Sequence, residues 1–396
     1  MHITLIAGAR PNFMKIAALV HAIERYNELT NERVNELTSE GVSELGNKRV
    51  EYRLVHTGQH YDKNMSDTFF EELGIPAPDV NLGCGGGTQA EQTAAIMVEF
   101  EKDLMAHPTD VVLVVGDVTS TMACSIVAKK LNTKVCHVEA GIRSWDLRMP
   151  EEINRMVTDS LADYMFTTSE VANANLERLG AVRDKSFWFV GNVMIDTLLA
   201  NRARFRKPEV WDELGLREKE YIVMTMHRPA NVDEENHLRE MMEQIVDNVH
   251  GLPVIFPIHP RTANKLREMI NERSQASSMS ATESLNDDRW SNLHIVEPMG
   301  YLEFNYLVER AKAVVTDSGG ITEETTVMGV PCITLRDNTE RPETCTIGTN
   351  ELIGTKPEAI KPALDKLFAG QWKKGAIPEL WDGRTAERIV RILTDL

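Results

Sequence analysis

The sequence predicts an α/β protein with two doubly wound domains, each built on a parallel sheet. Strand-like apolar runs alternate with amphipathic helices almost from end to end of the chain. These runs are nearly continuous in Val, Ile and Leu, which is typical of parallel strands covered on both faces. At 396 residues, the chain is too long for one small core. Together these observations favour two sheets over one.

In the first half, the apolar runs predict six strands: Ile3–Ala7, Tyr52–His56, Val111–Val115, Lys134–Val138, Tyr164–Thr168 and Phe187–Val190. Helical periodicity between them is clearest in three segments: Met14–Tyr26, Thr119–Leu131 and Glu170–Leu179. The second half repeats the scheme with five strands: Tyr221–Thr225, Pro253–Pro257, His294–Val296, Ala313–Thr316 and Cys332–Leu335.

A charged stretch over residues 197–212 separates the two halves. We therefore predict a first domain over residues 1–200 and a second over residues 201–379. A last helix, Arg384–Leu396 within residues 380–396, is expected to pack back on the first domain. Two polar stretches, Asn27–Lys48 and Ser274–Asp288, predict surface insertions with little capacity to form a core.

Composition narrows the class of protein. The net charge of −17 argues against binding to nucleic acid or to an anionic membrane, because both require excess cationic surface. The five cysteines are odd in number and form no C-x-x-C pair, which indicates a reducing compartment and no structural zinc. No apolar run reaches the length of a signal peptide or a membrane span, so we expect a cytoplasmic protein.

The most informative segment follows the strand Ala313–Thr316. A turn containing Ser318, Gly319 and Gly320 leads from this strand into a helix, which places free N–H groups and a positive dipole end at the turn. Diphosphates bind at such ends, and Glu324 one turn later is placed to accept hydrogen bonds from a ribose diol. The alternative is an ordinary helix capped by Ser318.

Charged side chains follow several further predicted strands, at the edge where doubly wound sheets bind ligands. They are Arg10, Lys15, Asp117, Glu139, Arg143, Glu151, Glu152, Arg155, His227, Arg228, His259 and Arg261. Each has a structural alternative: the carboxylates could be ion-pair partners of Arg143 and Arg155, and His227 could make a structural hydrogen bond. The first strand-to-helix turn, GARPNF, lacks the G-x-G-x-x-G fingerprint, so no nicotinamide cofactor is expected.

Eight motifs together resemble the non-hydrolysing UDP-N-acetylglucosamine 2-epimerases: GARPNFMK, HTGQHYD, GDVTST, HVEAGIRS, MPEEINR, MHRPAN, DSGGITEE and RDNTERPE. They occur in the family's order from residue 2 to about residue 355. The resemblance implies two Rossmann-like domains of GT-B architecture, with a UDP-sugar in the cleft and the second domain binding UDP. It also implies a homodimer that needs no cofactor and no metal.

The resemblance assigns roles by motif. The implied catalytic residues are Asp117, Glu139, Glu151 and His227. The implied contacts to the phosphates or the sugar are Arg10 and Lys15. Arg155 is implied to support His227 at the leaving diphosphate, and Arg341 is implied as a further substrate contact. The implied contacts to the diphosphate, the ribose and the uracil are Ser318, Gly319, Gly320, Glu324, Tyr301 and Phe304.

The implied reaction is the reversible C2 epimerisation of UDP-N-acetylglucosamine to UDP-N-acetylmannosamine, which supplies sugars for surface polysaccharide. The C2 proton is barely acidic, so the family eliminates UDP to a 2-acetamidoglucal and adds it back after protonating the opposite face. Such a route needs more than one carboxylate. It also needs cations and helix dipoles that stabilise the departing diphosphate.

Several positions depart from the family pattern. Asn12 and Asp62 replace family residues, Pro229 and Ala230 follow the histidine motif, and Gly85–Gly87 replace an arginine-bearing loop. We therefore expect hyperbolic kinetics without activation by substrate. These changes resemble a sister group that epimerises UDP-2,3-diacetamido-2,3-dideoxyglucuronic acid, which stays as an alternative. The motifs also leave open a GT-B glycosyltransferase, a hydrolysing epimerase and a UDP-sugar sensor.

Overall fold

Two all-parallel sheets organise the computed structural model, which describes residues 1–39, 49–59, 72–180, 186–258 and 290–396. Chain contacts divide it into two units. Unit 1 consists of Met1–Asn201 and Glu379–Leu396, and unit 2 of Arg202–Pro378.

Unit 1 contains a seven-stranded sheet in the order β3-β2-β1-β4-β5-β6-β7. Its strands are β1 His2–Ala7, β2 Glu51–His56, β3 Val80–Asn81, β4 Val111–Val115, β5 Lys134–Ala140, β6 Tyr164–Thr167 and β7 Ser186–Phe189. Its first helices are α1 Arg10–Ser39, α2 Gln89–Ala106, α3 Thr119–Lys130, α4 Pro150–Leu161, α5 Glu170–Arg178 and α6 Val193–Asn201.

Unit 2 contains a six-stranded sheet in the order β10-β9-β8-β11-β12-β13. Its strands are β8 Ile222–Thr225, β9 Val254–Pro257, β10 Leu293–Val296, β11 Ala313–Thr316, β12 Cys332–Thr334 and β13 Asn350–Leu352. Its α-helices are α7 Glu209–Glu213, α8 Pro229–Val232, α9 Glu235–Asn248, α10 Tyr301–Arg310, α11 Gly319–Met328, α12 Pro342–Thr346 and α13 Ile360–Phe368. The last helix of the chain, α14 Thr385–Asp395, returns to unit 1.

The sheet of unit 2 is covered on both faces. Along β8, Met224 belongs to one buried cluster with Phe256, whereas Val223 belongs to another with Ile255. Because neighbouring residues of a strand point to opposite faces, both faces need apolar side chains. This explains why the strands read as continuous apolar runs.

All eleven predicted strands are present, each with both ends within two residues of the prediction. The prediction missed β3 and β13, which are edge strands too short to show a pattern. It also ended the first helix too early, because α1 continues from Asn27 to Ser39 through a polar segment that contains no Gly or Pro to end the helix. The predicted insertion Asn27–Lys48 is therefore helical in its first part. Residues 40–48 and the insertion Ser274–Asp288 lie outside the described residues.

The C-terminal segment is anchored within unit 1. The Trp381 side chain is buried and its indole N–H donates to the Thr168 carbonyl at 3.1 Å. The Asp196 carboxylate accepts hydrogen bonds from the backbone N–H groups of Thr385 (3.1 Å) and Ala386 (2.6 Å), so it caps α14. Burial nevertheless raises the pKa of Asp196 to about 6. Within the described ranges, every helix is too short or too polar to cross a membrane.

Trp381→Ala should destabilise unit 1 by about 3–5 kcal/mol, because it removes a large buried side chain and the hydrogen bond that its indole donates to the Thr168 carbonyl. Urea unfolding followed by circular dichroism measures the effect. Leu396→Ala, at an exposed residue of the same segment, should change stability by less than about 0.5 kcal/mol. Equal effects of the two substitutions would contradict the anchoring role.

Candidate active site

Both sheets reverse their strand order at one point, which is where doubly wound folds bind ligands. The reversal lies between β1 and β4 in unit 1 and between β8 and β11 in unit 2. Lys15 and Asp117 follow the first pair of strands, and His227 and Asp317 follow the second pair. Three predicted site residues, Lys15, Asp117 and His227, therefore follow the strands at which the topology favours a ligand.

Glu139 occupies a strained position in β5. Its backbone φ is +71°, and the register with β6 shifts between Val138 and Ala140, as in a β-bulge. The side chain is only 1% exposed, and Lys15 Nζ lies 2.5 Å from its Oε2. Gly116, also at positive φ, leaves room for this pair, since a Cβ there would lie 3.1 Å from Lys15 Nζ. The bulge thus directs a buried carboxylate toward a cation.

Asn12, one of the departures from the family pattern, ties the loop after β1 to the end of β4. Its side-chain oxygen accepts from the N–H groups of Gly8 (3.3 Å) and Ala9 (3.1 Å), and its amide donates to the Val115 carbonyl at 2.9 Å. Asn12 is buried, so its role in unit 1 is structural.

Asp117 is ion-paired to Arg155. Its Oδ2 accepts from Arg155 Nε at 3.0 Å and Nη2 at 2.6 Å, and the same guanidinium donates to Glu152 at 2.5 Å. Glu152 also accepts from the backbone N–H groups of Ser144 and Trp145. The ion-pair alternative for Asp117 thus matches the geometry, and Glu152 is the structural carboxylate of helix α4.

A second group of buried charged side chains comes from β5, the loop that follows it, and α4. Arg143 donates to Asp159 at 2.6 Å, and His137 places Nδ1 2.7 Å from the same carboxylate and Nε2 2.9 Å from the Gly116 carbonyl. Burial alone would raise the pKa of Asp159, but His137 and Arg143 hold it below its usual value. The sequence prediction did not include Asp159 as the partner of Arg143.

Glu151 differs from Asp117 and Glu139, the two carboxylates predicted alongside it. It lies half-buried in the first turn of α4, and no described residue gives its carboxylate a hydrogen bond or an ion pair. Among the described residues, Glu151 therefore lacks the fixed charged partner that Asp117 and Glu139 have.

In unit 2, His227 contacts a buried carboxylate that the sequence prediction did not include. Asp317 Oδ1 lies 2.9 Å from His227 Nδ1, and Oδ2 accepts from the Arg228 N–H at 2.9 Å. Burial raises the pKa of Asp317, but the hydrogen bonds from His227 and Asn231 outweigh burial and hold the pKa below its usual value. The sequence signal was present, since Asp317 directly follows a strand, but nothing in the sequence placed it against His227.

Helix α11 begins at Gly319, and the Ser318 side chain makes no capping hydrogen bond, so the capped-helix alternative is wrong. The guanidinium of Arg336 lies 3.7 Å from the position of a Cβ on Gly319. Arg336 Nη2 lies 2.7 Å from Glu340 Oε2, and Arg228 Nη2 lies 3.8 Å from Glu340 Oε1. The first turn of α11 therefore combines free N–H groups with two nearby cations, which suits an anion.

The structure brings Glu324 and Tyr301 together. The Tyr301 hydroxyl donates to Glu324 Oε1 at 2.9 Å. Burial raises the pKa of Glu324 to about 7, the Tyr301 hydrogen bond opposes this rise, and the charge of Glu323 adds to it. Phe304 lies partly buried against the apolar cluster under α10.

Arg341 is held by Glu323, with Nε 2.5 Å from the carboxylate. The neighbouring Glu343 is buried, and in the described part of the chain its two carboxylate oxygens have no hydrogen-bond partner. Burial raises the pKa of Glu343 to about 7, against the attraction of Arg341. Arg10 opens α1, but its side chain and the whole of His259 and Arg261 lie outside what the structure describes.

Two parallel sheets, with a helix N-terminus suited to an anion, are typical of α/β enzymes with a GT-B-like fold. The UDP-N-acetylglucosamine 2-epimerase family model matches residues 43–394, so the chain belongs to that family. The predictions of fold class, family and enzyme class are confirmed.

Three comparisons give the extent of the similarity. The chain is 38% identical to the UDP-N-acetylglucosamine 2-epimerase of Methanocaldococcus jannaschii, over 100% of this chain and 99% of the relative. It is 36% identical to the UDP-2,3-diacetamido-2,3-dideoxy-D-glucuronate 2-epimerase of Pseudomonas aeruginosa, over 91% and 90%. A crystal structure of the M. jannaschii enzyme in complex with UDP-GlcNAc and UDP matches with a TM-score of 0.83 and 37% identity, over 100% of both chains.

Glu324 and Glu343 should make unit 2 less stable as pH rises. Their folded-state pKa of about 7 exceeds the usual value, so between about pH 4.5 and 7 the folded chain holds protons that the unfolded chain lacks. These two groups therefore stabilise the folded chain below that range, and this contribution is lost as the pH rises through 7. The loss is about 3 kcal/mol for each group, at about 1.36 kcal/mol per pKa unit.

Glu324→Gln and Glu343→Gln remove this titration, so each variant should gain stability relative to the wild type between pH 5 and 8. Urea unfolding at four pH values measures the gain. Glu358→Gln, at an exposed position, should run parallel to the wild type. Parallel curves for all three variants would show that the buried carboxyls do not titrate in this range.

Proposed function

We propose that this chain interconverts UDP-N-acetylglucosamine and UDP-N-acetylmannosamine by eliminating UDP and adding it back. The observation that carries the proposal is the match to the epimerase family over nearly the whole chain. A relative of 37% identity is described in complex with UDP-GlcNAc and UDP, which supports the same substrate here. No step of the proposed route requires a cofactor or a metal.

Unit 2 supplies the groups that suit the UDP part of the substrate. We assign the diphosphate to Ser318, Gly319 and Gly320, where the N-terminus of α11 and the nearby arginines favour negative charge. His227 faces the bond that breaks, and its hydrogen bond stabilises the charge that develops on the leaving diphosphate. The remaining assignments are the ribose to Glu324, the uracil to Tyr301 and Phe304, and a further substrate contact to Arg341.

Unit 1 supplies the proton-transfer groups. Removing the C2 proton from one face and returning it to the other requires a base and an acid, which we assign among Asp117, Glu139 and Glu151. Lys15 holds Glu139 and Arg155 holds Asp117, so the orientation of both carboxylates is fixed. Glu151 has no such partner among the described residues, and we assign it one of the two proton-transfer roles. Arg10 is assigned to the phosphates or the sugar by its motif alone.

The test is incubation with UDP-N-acetylglucosamine in D2O, followed by proton NMR. Epimerisation should give a mixture with UDP-N-acetylmannosamine in which deuterium replaces the C2 proton, because the proton leaves during each turnover. Free N-acetylmannosamine with UDP would indicate a hydrolysing enzyme. Unchanged substrate would exclude the proposed substrate.

Two variants test the assigned roles in the same assay. Glu151→Gln should lower kcat by about 10²–10⁴-fold, because it removes a proton-transfer group, and His227→Asn should lower it with UDP binding largely retained. Glu177→Gln, at an exposed position on α5, is the matched control and should keep full turnover. Wild-type turnover in either of the first two variants would refute its role.

A second candidate substrate is UDP-2,3-diacetamido-2,3-dideoxyglucuronic acid. The Pseudomonas aeruginosa relative named for this sugar is 36% identical to the chain, close to the 38% of the M. jannaschii enzyme. The Gly85–Gly87 loop also resembles that group. Turnover of this sugar nucleotide together with unchanged UDP-N-acetylglucosamine would favour the second candidate.

We also propose that the protein is a cytoplasmic homodimer. Helix α4 buries its charged side, with Glu152 and Asp159, and exposes the apolar Ile153 (42%) and Met156 (40%). An apolar stripe that faces solvent on a helix of this kind favours contact with a second copy. The five free cysteines support a reducing compartment.

Ile153→Lys combined with Met156→Lys should convert the dimer to a monomer of 44.6 kDa, measured by light scattering after size exclusion. The change places two charges on the apolar stripe and leaves the buried side of α4 intact. Leu29→Lys, at an exposed residue of α1, should leave the mass at the dimer value. A monomeric wild-type protein would contradict the proposal.

A further inference from the structure

We propose that Asp317 is a positioning residue that makes His227 a proton donor to the leaving diphosphate. The inference rests on the function proposed above and adds a residue to it. Asp317 itself is fully buried and is assigned no contact with substrate. It acts through the histidine ring.

The two oxygens of Asp317 have different partners. Oδ2 accepts three hydrogen bonds, from the backbone N–H groups of His227 (3.0 Å) and Arg228 (2.9 Å) and from the Asn231 amide (3.0 Å). Oδ1 lies 2.9 Å from Nδ1 of the His227 ring, and the His227 N–H approaches it at 3.2 Å. One oxygen therefore clamps the end of β8, and the other orients the ring.

The contact at Oδ1 determines which ring nitrogen keeps its proton. An ionised carboxylate can only accept, so Nδ1 must carry a hydrogen. Nε2, on the other side of a ring that is 39% exposed, is then the nitrogen that gains and loses a proton.

This arrangement fits the elimination step. When the anomeric C–O bond breaks, its electron pair goes to the diphosphate oxygen, and the Nε2 proton of the imidazolium passes to that oxygen. The ring is left neutral, with its proton on Nδ1 and Asp317 still ionised. Re-addition of UDP returns the proton to Nε2, so atoms and charges balance over the cycle.

Asp317→Asn keeps an acceptor for the three hydrogen bonds at Oδ2 but changes the contact with the His227 ring. The three donors at Oδ2 fix the single amide oxygen at that position, so the amide NH2 group takes the place of Oδ1 and donates to Nδ1. His227 must then hold its proton on Nε2 and stay neutral. Such a ring still donates a hydrogen bond from Nε2 to a phosphate. It cannot transfer that proton, because the transfer would leave an imidazolate anion.

The experiment combines kinetics with nitrogen-15 NMR of histidine-labelled protein, in which the His227 signals are identified by their loss in His227→Asn. In wild type, Nδ1 of His227 should be protonated. In Asp317→Asn, the proton should move to Nε2, kcat should fall by about 10²–10⁴-fold, and the Kd for UDP should rise by no more than about tenfold.

Asn231→Ala is the matched control, because it removes one donor to Asp317 and leaves the ring contact in place. It should lower the melting temperature but keep Nδ1 protonated. A wild-type ring protonated only on Nε2, or an Asp317→Asn variant with undiminished kcat, would overturn the inference. The wild-type spectrum decides the question even where the variant does not fold. An inactive wild type would instead defeat the proposed function.

Discussion

A charge buried at the end of a parallel strand must find a partner within a few ångströms, because leaving it unpaired costs several kcal/mol. This requirement shapes unit 1. The buried Glu139 is paired with Lys15, and the buried guanidinium of Arg155 is paired with the half-buried Asp117. The pairing of Asp117 needs a side chain from α4, so this helix turns its charged side inward. Its apolar residues are left facing solvent, which reverses the usual pattern of a surface helix.

Unit 2 meets the same requirement differently. Glu323 has a cationic partner in Arg341, but Glu324 and Glu343 are buried with too little compensation, and burial raises the pKa of both to about 7. Near neutral pH these two groups are therefore partly protonated. A neutral carboxyl at Glu324, in the second turn of α11, repels an anionic ligand at the start of that helix less than an ionised one would. This matters in a chain whose net charge is −17.

Much of the fold could be predicted from the sequence, because buried parallel strands leave continuous apolar runs. The predictions that failed each concern one short segment. The polar segment after Tyr26 predicts an insertion, but α1 continues through it to Ser39, because no Gly or Pro ends the helix. The short edge strands β3 and β13 carry too few residues to show any period.

The position of a side chain just after a strand was predictable, as at Asp117 and His227. A role that depends on a partner far along the chain was not predictable. Asp317 lies 90 residues from His227, and only the sheet order brings them together. The neighbours Glu151 and Glu152 show a second limit. Arg155 binds Glu152 and not Glu151, and this difference depends on how α4 packs.

At each strand-order reversal, a buried side chain ties the ends of the two strands together, but the two side chains differ in charge. In unit 1 the neutral amide of Asn12 ties the loop after β1 to the end of β4. In unit 2 the charged Asp317 ties the end of β8 to β11. Because the first tie is neutral, the field at that strand end is set by Lys15 and Glu139. The second tie is anionic, and its other oxygen lies 2.9 Å from His227 Nδ1, so the carboxylate that fixes the backbone also orients the His227 ring.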